Sequence, residues 1–292
     1  MKEAFKTVDF KPESLERIAQ CNAIIEVYLD QGLRLTLRQL YYQLVTTNAI
    51  ANTEREYKNL STLVSNARLS GLMDWDAIED RIRQPRVQTE FENLNELVDA
   101  ALSSYRLPRW RGQKFYTELW VEKDALAGVL QPLAREYHVT MMVNRGYSSQ
   151  SAMRESAKRF AVAEEEGKSC LLFYLGDHDP SGEDMVRDIQ TRLDMFGCDV
   201  KVLKLALTVD QVRQYNPPPN PAKMTDPRAT GYVAKHGQQS WEVDALRPDV
   251  LARIIRTAFK RTVDEKALQT VLAQEEKDKE ALQAALEQVR DS

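Results

Sequence analysis

LLFYLGDHDPSG, residues 171–182, runs five apolar or aromatic residues into a glycine and two aspartates separated by one histidine. The apolar run has the length of a buried strand, and the glycine and proline after it mark a turn. Asp177 and Asp179 are thus aimed from a strand end. At i and i+2 they share one side of the emerging chain and repel each other unless a cation lies between them. His178 alternates to the other side and reads as a structural or supporting residue.

Three other accounts of this element fit less well. An EF-hand loop would place Asp177, Asp179, Ser181 and Gly182 at its first, third, fifth and sixth positions. A strand precedes it, however, Pro180 interrupts it, and Asp188 stands where the closing glutamate belongs. A phosphate-cradling loop would need a glycine-lysine-serine or glycine-lysine-threonine run, which is absent. A plain helix cap explains one aspartate but not two. A magnesium site explains both, because hard cations take oxygen ligands, and Glu122 in LWVEKDALAGVL supplies a third carboxylate at another strand end.

The flanking sequence agrees on a parallel sheet. KFYTELWVEK, VTMMVNRGY, SCLLFYLG and VKVLKLAL read as strands, separated by helical stretches at 124–137, 148–167 and 181–197. Strand alternating with helix predicts a Rossmann-like α/β domain over 115–248, with ligands at the carboxyl ends of its strands. Before it, helices at 13–31, 37–45 and 55–71, then LMDWDAIED and an extended RIRQP, have the outline of a winged-helix module over 1–87. Thr36 is the expected cap of the second helix. Residues 88–114 read as a helical and basic linker, 216–232 as a proline-rich ordered loop, and 249–292 as a tail of two helices.

An acid on one strand end and an acid pair on another, in that order, resembles the Toprim domain, the magnesium-dependent core of topoisomerases and several nucleases. VEKDALAGVL, NRGYSSQSAMR, LGDHDPSGEDM and SWEVDAL (240–246) resemble, in order, the Toprim motifs of the A subunit of topoisomerase VI and its meiotic strand-breaking relative. TLRQLYYQLV (36–45) is similar to that family's basic residue and tyrosine pair in a winged-helix domain. The resemblance implies Mg²⁺ held by Glu122, Asp177 and Asp179, with Lys123 beside them toward DNA, and Mg²⁺-dependent DNA cleavage by tyrosyl transesterification. It also implies a homodimer, in which the tyrosine of one subunit meets the metal of the other. The chain carries no ATPase module, so strand passage would need a separate ATPase subunit. Two alternatives remain open: a Toprim nuclease using metal-activated water, and a non-catalytic DNA-binding regulator.

Of the two tyrosines, Tyr41 falls on the apolar stripe with Leu37, Leu44 and Val45. Tyr42 shares a face with Arg38, four residues earlier, whose guanidinium could hold a phosphate. Tyr42 is the expected nucleophile, with Tyr41 second. In YRLPRWRGQK (105–114), Arg106, Arg109 and Arg111 interleave with Tyr105 and Trp110, as in a nucleic-acid contact. The competing account is a linker whose Trp110 covers a domain edge.

With 292 residues, 43% hydrophobic, and a net charge of −4, the chain suits a globular protein and does not announce a nucleic-acid binder. No apolar run approaches the roughly 18 residues of a membrane span, and MKEAFKTVDFKPES lacks a signal peptide's apolar core. Cys21, Cys170 and Cys198 have neither metal-site nor disulfide-framework spacing. The expectation is a cytoplasmic protein without membrane contact.

Overall fold

The computed structural model describes residues 2–78 and 89–290, with side chains to Ala285. The RIRQP piece, the last two residues of LMDWDAIED and the expected boundary at 87 lie outside the described residues.

The first helices are α1 (Pro12–Leu29), α2 (Leu37–Thr46) and α3 (Glu54–Leu69). Pro12 opens α1, where a missing N–H costs nothing, and Gly32 (φ +70°) turns the chain after it. Thr36 and Gln39 form a reciprocal capping box at the start of α2. Helix α2 is buried from Gln39 through Val45, packed between Ile18, Cys21 and Ile25 of α1 and Leu60, Val64 and Ala67 of α3. Extended structure among the described residues of this region consists of two isolated bridges, Ala4 with Ser70 and Leu35 with Ile78. Helix α4 (Leu94–Ser104) leads to the sheet.

The sheet has four parallel strands, β1 (Phe115–Val121), β2 (Thr140–Val143), β3 (Ser169–Leu175) and β4 (Val200–Ala206), in the order β2-β1-β3-β4. Helices α5 (Ala127–Glu136), α6 (Gln150–Glu165) and α7 (Pro180–Met195) make the crossovers. Leu119, Val121, Leu171, Phe173 and Leu175 face α5 and the later helix α10 (Pro248–Lys260) in one core. Trp120, Leu172 and Tyr174 face α6 and α7 in the other. Burial on both faces is why LLFYL shows no alternation of apolar and polar residues.

The proline-rich stretch is more ordered than expected. After α8 (Val209–Tyr215), β5 (Asn220–Pro221) pairs antiparallel with β6 (Gln239–Ser240), and α9 (Ala229–His236) starts inside the predicted loop. A two-residue edge strand tolerates Pro221, which has no N–H to donate. The ribbon continues through the Ala222 N–H, which donates to the Gln238 carbonyl. The tail forms α10 and α11 (Glu265–Arg290). No helix among the described residues is long and apolar enough to cross a membrane.

Candidate active site at the strand ends

Strand order reverses between the neighbours β1 and β3, so the chains leaving them diverge and open a crevice. Glu122 leaves β1 there and Asp177 leaves β3. The Glu122 Oε2 accepts from the Asp177 N–H at 3.0 Å and the Tyr174 hydroxyl at 3.4 Å. Two glycines allow this close turn. A Cβ on Gly176 would fall 2.6 Å from the Tyr174 ring, and one on Gly182 would fall 2.2 Å from the Asp177 carbonyl oxygen. Asp179 caps α7, its Oδ1 accepting from the Gly182 N–H at 2.6 Å and the Ser181 hydroxyl at 3.0 Å.

A second segment, 240–246, is sewn to this turn. His178 and Trp241 exchange two backbone hydrogen bonds, and the Val243 N–H donates to the Asp177 Oδ1 at 2.9 Å. That register delivers Glu242 and Asp244 to Lys123. The Lys123 ammonium lies 2.9 Å from Asp177 Oδ2, 2.9 Å from Glu242 Oε2 and 3.2 Å from Asp244 Oδ1. From the opposite wall, α2 presents Arg38 and Tyr42. Arg38 donates to both Glu242 oxygens (2.8 and 2.9 Å) and lies 3.5 Å from Asp244 Oδ2. The Tyr42 hydroxyl donates to Glu242 Oε2 at 2.9 Å and lies 3.4 Å from Arg38 Nη2. Arg38, Tyr42, Asp177 and Glu242 border a cleft of about 400 Å³, whose lining also includes Asp179, Asn220 and Lys223.

Burial sets the electrostatics. Burial pushes the Asp244 carboxyl up to about 6, against the pull of Lys123 and with help from Glu242 and Asp177. Burial would also raise Glu242, but Lys123, Arg38 and the Tyr42 hydrogen bond outweigh it and hold the group at about 2. Lys123 stays cationic because Asp244, Asp177 and Glu242 overcome its desolvation. Glu122 is raised by burial first, then by the charges of Asp177 and Asp179. The Tyr42 phenol is raised by burial and by Asp244 and Glu242, with Arg38 opposing. In this state Tyr42 is a proton donor.

The expected site residues divide into three groups. Arg38 with Tyr42, and Lys123 with Asp177, form two pairs that Glu242 joins, while Glu122 and Asp179 flank Asp177 through the turn. Tyr41 lines the same cleft but does not reach Glu242, its hydroxyl against Asn52 Oδ1 (3.0 Å) and the Thr53 carbonyl (3.1 Å), its ring edge-on to Tyr57. Arg106, Arg109 and Arg111 precede β1 and so lie at the opposite end of the sheet. Arg109 is buried there in an ion pair with Glu275 of α11, which removes it from reach of a phosphate. Trp110 is buried too, its Nε1–H donating to the His138 carbonyl, so this stretch holds the tail to the sheet. The resemblance had the tyrosine meet another subunit's metal residues. Here Tyr42 and Asp177 line one cleft of one chain.

The Mg²⁺ expectation can be judged from the donors. All are hard oxygens, and Glu122, raised first by burial, also feels the charges of Asp177 and Asp179, which a cation would offset. Both Asp177 oxygens are engaged, by Val243 N–H and Lys123. Among the described residues no three acidic, histidine or cysteine side chains converge as a ligand set. The site therefore fits Mg²⁺ in chemistry with at most two carboxylates, a shell that water and a substrate phosphate ordinarily complete.

Glu242 and Asp244 are central here, and the 240–246 segment entered the sequence argument only through resemblance. No family model matches the chain, and no curated protein does.

Proposed function

We propose that this chain cleaves DNA in the cleft at the strand ends, in the manner of the topoisomerase VI A subunit, with Tyr42 as the nucleophile. One observation carries the proposal. A hydroxyl (Tyr42), a guanidinium (Arg38) and an ammonium (Lys123) converge on one carboxylate-sized point beside Asp177. A phosphodiester at that point would meet a nucleophile and two cations that neutralise its charge. The Tyr42 oxygen bonds to phosphorus, the bond from phosphorus to one deoxyribose oxygen breaks, and that oxygen takes a proton from water. The phenol proton passes to Glu242, whose Oε2 already accepts from the Tyr42 hydroxyl at 2.9 Å. Glu122 and Asp179 would hold Mg²⁺, which when bound supplies further charge neutralisation at the phosphate. Arg38 and Lys123 orient the phosphate. The helical N-terminal region then acts as the winged-helix DNA-binding part, and a homodimer would bring two such clefts to one duplex.

The burial of Tyr42, only 2% exposed, and its raised phenol favour a second account, hydrolysis by metal-activated water. Quenching a Mg²⁺ reaction with denaturant separates them. Labelled DNA attached to the chain, and lost in Tyr42→Phe, is expected. Cleavage without an adduct, undiminished in Tyr42→Phe, would establish the hydrolytic route.

A further inference from the structure

The Glu242 carboxylate is surrounded by four donor residues drawn from three separate parts of the chain. Arg38 reaches it through Nε (3.2 Å) and Nη2 (2.8 and 2.9 Å), Lys123 through Nζ (2.9 Å), Tyr42 through its hydroxyl (2.9 Å) and Asn220 through Nδ2 (3.4 Å). This is more than a glutamate needs for its own burial, since its side chain keeps 22% of its exposure and borders the cleft. A fork of guanidinium N–H groups, an ammonium, a hydroxyl and an amide are the donors that recognise a tetrahedral phosphate.

Glu242 is also positioned by backbone that does not depend on it. Its neighbours Trp241 and Val243 are tied to His178 and Asp177 through main-chain groups. The donors are likewise anchored elsewhere: Arg38 and Tyr42 on the capped helix α2, Asn220 on the β5–β6 ribbon. Withdrawing one side chain would leave the cradle standing.

We infer that Glu242 is a built-in stand-in for a backbone phosphate, occupying a phosphate subsite formed by Arg38, Lys123, Tyr42 and Asn220 until a nucleic acid displaces it. The inference deepens the DNA-cleavage proposal and rests on it for the ligand's identity. The resting chain is then self-inhibited. Its cations are paired with its own acid, its nucleophilic hydroxyl donates to that acid, and incoming phosphate must compete with a tethered carboxylate. Lys223, which also lines the cleft, adds a cation for a further phosphate of the same strand.

The test is equilibrium binding in metal-free buffer with EDTA, using a short labelled DNA duplex and, separately, inorganic phosphate as competitor. Glu242→Gln should bind the duplex about tenfold more tightly than the unaltered chain, the gain expected if the internal competitor fills the subsite about nine-tenths of the time. Glu242→Asp, which retracts the carboxylate by one methylene, should move the same way and covers the case where Glu242→Gln folds poorly. Glu54→Gln removes an acid that lines the same cleft but pairs with Lys58, and it should gain far less. Adding Arg38→Met to Glu242→Gln should abolish the gain, and phosphate should compete for the duplex on Glu242→Gln. Equal gains from Glu242→Gln and Glu54→Gln, or a gain that survives Arg38→Met and resists phosphate, would overturn the inference. The parent proposal fails separately. Tighter binding by Glu242→Gln without cleavage by the unaltered chain in Mg²⁺ would leave the subsite and remove the nuclease. Cleavage with unchanged binding would do the reverse.

Discussion

Tyr41 and Tyr42 are consecutive on α2, yet their hydroxyls meet different partners, and deleting one oxygen at a time separates their roles. Tyr41→Phe leaves Asn52 Oδ1 without this donor, while the Thr53 carbonyl keeps the Tyr57 N–H, and should cost about 1 kcal/mol of stability, with cleavage retained. Tyr42→Phe should fold with comparable stability, bind DNA and form no adduct, as a melting curve and a denaturant trap would show. Lys123 gives a second, pH-dependent test. Replacing it with methionine leaves Asp177, Glu242 and Asp244 facing one another without their shared cation, a loss of about 3 kcal/mol near neutral pH. Asp244 already has a folded-state pKa raised from 3.8 to about 6, so its ionisation in the fold is penalised above that range and not below 3.8. Removing the cation enlarges the penalty, and the deficit of Lys123→Met should therefore shrink as pH falls from 7 toward 4 in denaturant titrations. A pH-independent deficit would show that lost packing, not charge, is responsible. Sequence spacing was enough to put Arg38 and Tyr42 on one helical face, because i and i+4 are neighbours on any helix. Glu242 sits 200 residues from Tyr42 on a segment with no periodicity, and only the fold brings the two together.

The parallel sheet was legible because each strand carries its own apolar run and each crossover helix its own period, all of them local signals. The docking of α11 was not, since it depends on groups more than 150 residues apart in the chain. Arg109 and Glu275 form a buried ion pair, the Leu107 N–H donates to the same carboxylate at 2.8 Å, and Arg106 approaches it. A run of arginines beside aromatics looks the same in sequence whether it awaits a phosphate or an internal glutamate. Burial would raise Glu275, but Arg109, the Leu107 N–H and Lys279 overcome it and hold the carboxyl at about 2. A depressed carboxyl stabilises the fold above its ordinary value and loses that contribution as pH falls. Docking of α11 should therefore weaken between 4.5 and about 2, followed by the fluorescence of Trp110. Glu275→Gln should flatten that acid transition. Arg109→Ala, which takes the buried cation from Glu275 but leaves it the Leu107 N–H and Lys279, should cost about 2 kcal/mol at neutral pH and leave the cleft intact.

Across the chain, charge is distributed so that a net of −4 conceals where cations are available. The 105–114 stretch precedes β1 and the cleft follows it, so seven residues of strand, roughly 23 Å at about 3.3 Å each, separate the two. One duplex lying in the cleft would be poorly placed to touch both. The cleft offers Arg38 and Lys223, with Lys123 adjoining it through Glu242, about three phosphate contacts, which for duplex DNA gives a log–log salt slope of roughly −2.7. Lys223→Ala should lower affinity and reduce the slope by about 0.9, since that residue borders the cleft without belonging to the Glu242 cradle. Arg106→Ala with Arg111→Ala should leave the slope where it was. Arg109 is left out of that pair because its loss would loosen α11 and confuse stability with binding. Binding measured across a range of salt concentrations decides the matter. If the slope falls by about 1.8 in the Arg106, Arg111 double variant, DNA follows the opposite end of the sheet, and the cleft is not where the duplex is held.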